Sequence, residues 1–394
     1  MNYQLVLPTT LTKEISVSKN GLLCPVEATR VNNLDFIRFM LAVSVIFCHC
    51  YVLYYGTEET VEPLWVLSNR QISIGSFAVN FFFVISGFLI LQSWNHSARF
   101  IDFLRKRVVR IFPAFIVASI VCVFFFAPLG TADSFMPLGY WKLYLQNIKL
   151  NELFVGFVQL AEPTVSWTLN SVPIHGSINA PMWTIRYEFF CYLLVPVLFY
   201  LGVFKKKAFV VALFVVAFIL QAVQHYYKVY FFDWKEFPII GKPDFFPRFV
   251  TYFSVGMCFY MFRNVIPRSR LLLLISTVML VLATVAFDGL LLIQPIFGSY
   301  VLFYFAYSNT FSFRDFAKNG DYSYGVYLYA WPVQQLVILF FEKHLDITLM
   351  FILSMIFTLA CAYLSWHYVE KPFLSFKSKK KTMKSVSEGE LAIA

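Results

Sequence analysis

Long apolar runs separated by short polar stretches dominate this chain. Runs of about 17–25 residues, each long enough to cross a bilayer, recur at 34–55, 72–92, 108–128, 183–203, 207–225, 245–263, 271–287, 289–307, 322–342 and 346–369. The pattern predicts an all-α integral membrane protein, a bundle of about ten transmembrane helices. No internal repeat and no separate soluble domain interrupts it. The organisation read from the pattern is a polar N-terminal tail over 1–33, a transmembrane domain over 34–370 and a basic C-terminal tail over 371–394. The opening "MNYQLVLPTTLTKEIS" lacks the apolar core of a signal peptide, so the first run is expected to be kept as a helix.

Composition agrees with a lipid-facing chain. Of 394 residues, 59% are hydrophobic and 14% charged, against about 25% charged in a soluble domain. The net charge of +10 would suit a nucleic-acid partner, but its distribution excludes that reading. Basic residues fall in alternate polar stretches: Lys13, Lys19 and Arg30 before the first run; Arg99, Arg105, Lys106, Arg107 and Arg110 between the second and third; Lys205 to Lys207 after the fourth; Arg263, Arg268 and Arg270 after the sixth; and lysines at the C-terminus. The intervening stretches, "GTEETVEP" and "DWKEFPIIGKPD", are acidic or mixed. The positive-inside bias then puts both termini in the cytoplasm and the 129–180 loop outside. An even number of spans requires the same for the termini. Of seven cysteines, six lie in apolar runs and Cys24 in the N-terminal tail, so no disulfide framework is indicated. The "CHC" at 48–50 does not make a metal site, because neighbouring side chains on a helix diverge by about 100°.

Polar residues inside apolar runs are costly and face a protein interior or a watery cavity. Arg38 and His49 lie eleven positions apart in the first run. On a helix they share nearly one face, about 16 Å apart along the axis. One stripe thus carries a cation near its cytoplasmic end and a titratable base in its outer part. The plainer alternative for Arg38 is a side chain reaching the inner headgroups beside Asp35. In "RKRVVRIFP", Arg107 and Arg110 share a face, and two guanidinium forks suit a phosphate-rich ligand. The alternative is an ordinary positive-inside anchor. In "PMWTIRYEFFCYLL", Glu188 is an acid among aromatics, expected near the depth of His49; the alternative is an interfacial acid paired with Arg186.

These residues resemble the acyltransferase 3 superfamily of integral membrane acyltransferases, whose members include O-acetyltransferases of bacterial surface polysaccharides. "NNLDFIRFMLAVSVIFCH" resembles its opening helix, with Arg, ten residues, then His. "VNFFFVISGFLI", with Ser86, Gly87 and Phe88, resembles its second helix. "FLRKRVVRIFPAF" matches an Arg-x-x-Arg element followed by Pro, and "PMWTIRYEFFCYLL" a Trp-then-Glu element through Trp183 and Glu188. "GDYSYGVYLYAWPVQQ" and the closing "LSWHYVEKPF" follow in order. Two positions depart from the pattern: Ala330 stands where many members carry His, and Asn80 where some carry an acid.

The resemblance implies a bacterial inner-membrane enzyme using acetyl-CoA or another acyl-CoA as co-substrate, with no tightly bound cofactor and no metal. Its acceptor would be a glycan or lipid-linked glycan. Arg107 and Arg110 would hold donor phosphate, with Arg38 deeper along the donor path or beside developing negative charge. His49 would act as general base, and Glu188 would orient it. Ser86 is a candidate for an acyl-enzyme, or else "SG" serves close helix packing. With no hydrolase-like domain after the last run, the chain is expected to act directly on its acceptor. Succinyl or longer-acyl transfer, and a glycan transporter or flippase, are the competing readings. A transporter would show inverted repeats and paired broken helices.

Overall fold

The apolar runs fold as helices because hydrocarbon offers backbone groups no partner outside their own segment. The computed structural model describes residues 21–24, 32–56, 61–130, 144–146, 148–165, 168–169, 172, 174, 177–308, 310, 312–341 and 345–375. Most of both expected tails and much of the 129–180 loop lie outside the described residues. The helices are α1 (Leu34–Tyr55), α2 (Pro63–Leu67), α3 (Ile74–Asn95), α4 (Phe100–Leu129), α5 (Leu150–Gln159), α6 (Ala180–Tyr200), α7 (Lys207–Tyr227), α8 (Phe246–Met261), α9 (Arg270–Val285), α10 (Leu290–Ala306), α11 (Ser323–Phe341) and α12 (Ile347–Ser375). No β-strand forms among the described residues.

Seven of these, α1, α3, α4, α6, α7, α11 and α12, are long and apolar enough to span a membrane. The other three expected spans are present as α8, α9 and α10, but they are shorter. At 16 residues, α8 and α9 reach about 24 Å, less than the roughly 30 Å hydrocarbon core. The even-number argument for cytoplasmic termini therefore requires one or all three of the short helices to cross as well.

Local chemistry sets the helix ends. Ser73 caps α3 by accepting from the Ser76 N–H at 3.2 Å, and Asp346 caps α12 by accepting from Leu349 at 2.7 Å. Gly56, in the left-handed region, closes α1 and donates to the Val52 carbonyl. Buried Glu62 accepts from Trp65 at 2.7 Å and Ile74 at 3.2 Å, tying α2 to the start of α3. π-turns interrupt α4 at Cys122–Phe126, α10 at Gln294–Gly298 and α12 at Trp366–Glu370.

The chain divides into two compact units, Met1–Phe103 with Trp183–Ala317, and Leu104–Met182 with Lys318–Ala394. In the first, α3 packs against α1, α6 and α8, and α8 against α7. The α3–α8 crossing depends on two glycines: a Cβ on Gly87 would overlap the Phe253 carbonyl oxygen, and one on Gly256 that of Val84. The expected packing role of "SG" thus belongs to Gly87. In the second unit, α11 pairs with α12. The stretch leading into α6 is pinned to α11: Asn179 donates to the Leu328 carbonyl at 2.8 Å, and Tyr327 donates to that of Pro181.

Candidate active site

Both Arg38 and His49 fall on α1 and are partly accessible, His49 between buried Cys48 and Cys50. α3 serves as a ruler for their depth. A Cβ on Gly75, near the start of α3, would lie 2.9 Å from the sulfur of Cys48. Further along, Phe88 meets Phe303 of α10 with ring centroids 4.9 Å apart. Three residues beyond Phe303, the Ala306 carbonyl accepts from Asn33, just before α1, at 2.7 Å. Thus α1 and α3 run antiparallel. His49 lies at the Gly75 end, and Arg38 toward the Phe88 end.

Glu188 lies at the other level. Ser86 donates to its Oε1 at 2.8 Å, and Tyr192, one helical turn along α6, donates to the same oxygen. Ser86 is eleven residues from Gly75, about 16 Å along α3. Glu188 is therefore not at the depth of His49, as the sequence suggested, but near the level of Arg38. The described bonds of Glu188 go to Ser86 and Tyr192, so the expected orienting contact with His49 is absent from them. Pairing with Arg186 fails too: that guanidinium, 8% exposed, faces Glu236 at 3.5 Å. Tyr192 was legible in principle, because Glu188 and Tyr192 share a face at i, i+4.

A polar network missed by the motif reading sits near the Gly75 end. Arg248 of α8 donates from Nε to Asn80 Oδ1 at 2.8 Å and from Nη2 to the Ser76 carbonyl at 3.1 Å. Asn80 donates to Gln294 Oε1 at 2.9 Å, which also accepts from Tyr252 at 2.9 Å. Asn80, Gln294 and Tyr252 are fully buried, so each bond here replaces one lost to water. Asn80, noted as a departure from the family pattern, thus has a clear partner in Arg248.

In the second unit, Arg107 is partly buried, and Arg110 is engaged by acids. The Arg110 guanidinium pairs with Asp321 and lies 3.7 Å from Glu370 Oε2. It also lies 6.0 Å from the Tyr324 ring centre. Ser365 donates to Glu370 Oε1 at 3.2 Å, and Asp321 accepts from the Ser323 N–H at 3.2 Å. Arg110 thereby joins α4 to the start of α11 and to the π-turn of α12. Of the expected pair of phosphate-binding forks, Arg110 shares its charge with two carboxylates. Ala330 is buried on α11 between Tyr329 and Trp331.

An all-helical chain with several membrane-length helices, carrying ionisable side chains within them, defines a polytopic membrane protein with an internal polar site. The profile of an acyltransferase domain matches residues 31–367. The chain belongs to the acyltransferase 3 family of integral membrane acyltransferases. It is similar to the O-acetyl transferase of Shigella phage Sf6, 31% identical over 358 residues, covering 89% of this chain and 98% of that protein. It is also similar to acyltransferase MdmB of Streptomyces mycarofaciens, 25% identical over 173 residues, 44% of this chain and 40% of the relative. Nodulation protein 10 of Rhizobium leguminosarum bv. viciae is 28% identical over 172 residues, 42% of this chain and 44% of the relative. No solved structure gives a significant match.

Proposed function

We propose that this chain moves an acyl group, acetyl before all others, from cytoplasmic acyl-CoA to a hydroxyl of a cell-envelope glycan or its lipid-linked precursor. O-antigen, capsule and exopolysaccharide are the acceptor classes, and the bacterial inner membrane is the site. The observation that carries this reading is similarity to an O-acetyl transferase along almost the whole of both chains.

The proposed chemistry needs two substrates to meet from opposite sides. Acyl-CoA carries several phosphates and does not cross a bilayer, so it docks on the cytoplasmic side. Arg107 contacts donor phosphate. Arg110, drawn to Asp321 and Glu370, holds that region in place. Arg38 is assigned to the donor as well. Glu188, fixed by Ser86 and Tyr192 near that level, acts on the donor side rather than on His49.

His49 takes the proton of the acceptor hydroxyl as its oxygen attacks the thioester carbonyl. The tetrahedral intermediate collapses with cleavage of the carbon–sulfur bond. The CoA thiolate leaves and recovers the proton from the imidazolium. General-base assistance of this kind contributes typically 10²–10⁴-fold. Mass spectrometry of envelope glycans from cells with and without this chain tests the reading: the expected difference is one acyl group per modified residue. Identical glycans would overturn it.

A further inference from the structure

The connection from α7 to α8, residues 228–245, is built as a fixed rim. Buried Asp244 accepts from the backbone N–H groups of Phe231 at 2.8 Å, Phe232 at 3.3 Å and Trp234 at 3.0 Å, and from Gln224 Nε2 at 3.3 Å. One carboxylate therefore gathers the whole turn. That turn holds Asp233 and Trp234 consecutively in the left-handed region, with φ of 48° and 55°. Non-glycine residues stay there only where the surroundings over-determine them, and such positions cluster at ligand clamps.

The far end of the rim is fastened to α6. The Lys242 N–H donates to the Tyr187 hydroxyl at 2.7 Å, and Gly241, at φ 76°, lies against Tyr187 and Arg186 with no room for a Cβ. The rim also lies at the His49 end of its unit, since α8 begins beside Ser76 and Asn80 through Arg248.

Trp234 is 38% exposed, yet its ring is fixed. It packs against Tyr230 at 4.8 Å and edge-on to Phe245 at 4.9 Å, and Phe245 packs on Trp183 at 4.5 Å. Beside it, exposed Glu236 is paired with buried Arg186. A rigid flat apolar face next to a carboxylate and a guanidinium matches a sugar ring, which has apolar C–H faces and a rim of hydroxyls. Neighbouring Phe231, Phe232, Ile239 and Ile240 are exposed and apolar, as expected of a loop at a membrane surface. Trp234 differs from them in that its ring packs on Phe245, and through it on Trp183 of α6.

We propose that the 228–245 rim is the acceptor-docking subsite, with Trp234 stacking on a sugar ring and Glu236 accepting from its hydroxyls. This rests on the glycan-acyltransferase reading given above.

The test uses the full-length chain in nanodiscs, radiolabelled acetyl-CoA, and de-O-acetylated envelope polysaccharide from the cells that natively express it. Trp234→Ala should raise the half-saturating polysaccharide concentration about tenfold, a typical worth for a rigid aromatic contact. The half-saturating acetyl-CoA concentration should not move. Trp234→Phe should stay within about threefold of wild type by keeping a flat apolar face. Glu236→Gln, which keeps an oxygen facing Arg186 but removes the charge, should raise the polysaccharide value while leaving the donor value alone at equal membrane abundance. Unchanged polysaccharide dependence in Trp234→Ala and Glu236→Gln, at equal membrane abundance, would overturn the subsite. So would a loss of abundance alone, the mark of an interfacial anchor. A wild-type chain that labels no polysaccharide would instead sink the functional reading itself, which separates the two failures.

Discussion

His49 and Arg110 show how differently two polar residues in apolar helices can be employed. For His49 the general-base role predicts that His49→Ala remains folded and inserted, because no backbone bond is removed. Glycan acylation should fall about a hundredfold or more, with acyl-CoA affinity little changed. Arg110→Ala should behave in the opposite way. It removes a cation 3.7 Å from Glu370, which is 2% exposed, and losing one partner of such a buried pair costs about 3–5 kcal/mol. The expected result is a sharp drop in folded protein in detergent, partly restored by adding Glu370→Gln. Arg107→Lys should instead insert normally and weaken acyl-CoA binding, because Lys lacks the planar fork. Equal donor affinity in wild type and Arg107→Lys would return Arg107 to the status of a topological anchor. The sequence made Arg107 and Arg110 equivalent because they share a helix face. The carboxylates that engage Arg110, Asp321 and Glu370, lie more than 200 positions away, which no local spacing reveals.

At the scale of elements, the spans were legible because a bilayer imposes a length and a composition on each one. Every expected run coincides with a helix. The shortness of α8 and α9 was hidden because apolar residues continue past their ends. The π-turns carry no sequence signal that the apolar pattern would expose. The depth of Glu188 was misjudged for a related reason: position within a run gives depth only if the helix starts at the membrane surface. Packing of Trp183 on Phe249 places the head of α6 beside a ring that stacks on Phe83, well along α3. The α3–α8 crossing gives a direct test. Gly87→Ala and Gly256→Ala each drive a methyl into a backbone carbonyl that cannot turn aside, so each should cost about 3 kcal/mol, the upper part of the overpacking range. Gly156→Ala, where the nearest atom is 3.7 Å away, serves as the neutral control. Thermal unfolding in detergent should separate the two crossing variants from the control, and equal midpoints would show that the helices do not cross so closely.

For the whole molecule, family membership and helical membrane architecture give a membrane acyltransferase, and the two-sided reaction proposed for it rests on the alternation of basic stretches. Sidedness is what the sequence offered through charge alone. A cysteine replacing exposed Glu152 on α5 should react with an impermeant maleimide added to intact cells stripped of their outer barrier. Reaction only after permeabilisation would invert every side assignment. The central claim is transfer itself, through His49. The measurement that meets it most directly is label movement from radiolabelled acetyl-CoA to de-O-acetylated envelope polysaccharide by the purified chain in nanodiscs, comparing wild type with His49→Gln. Gln keeps polarity and some hydrogen bonding but does not cycle a proton. Labelled polysaccharide from wild type, reduced about a hundredfold or more in His49→Gln at equal protein, is the predicted result. Near-equal labelling by the two proteins would contradict the mechanism.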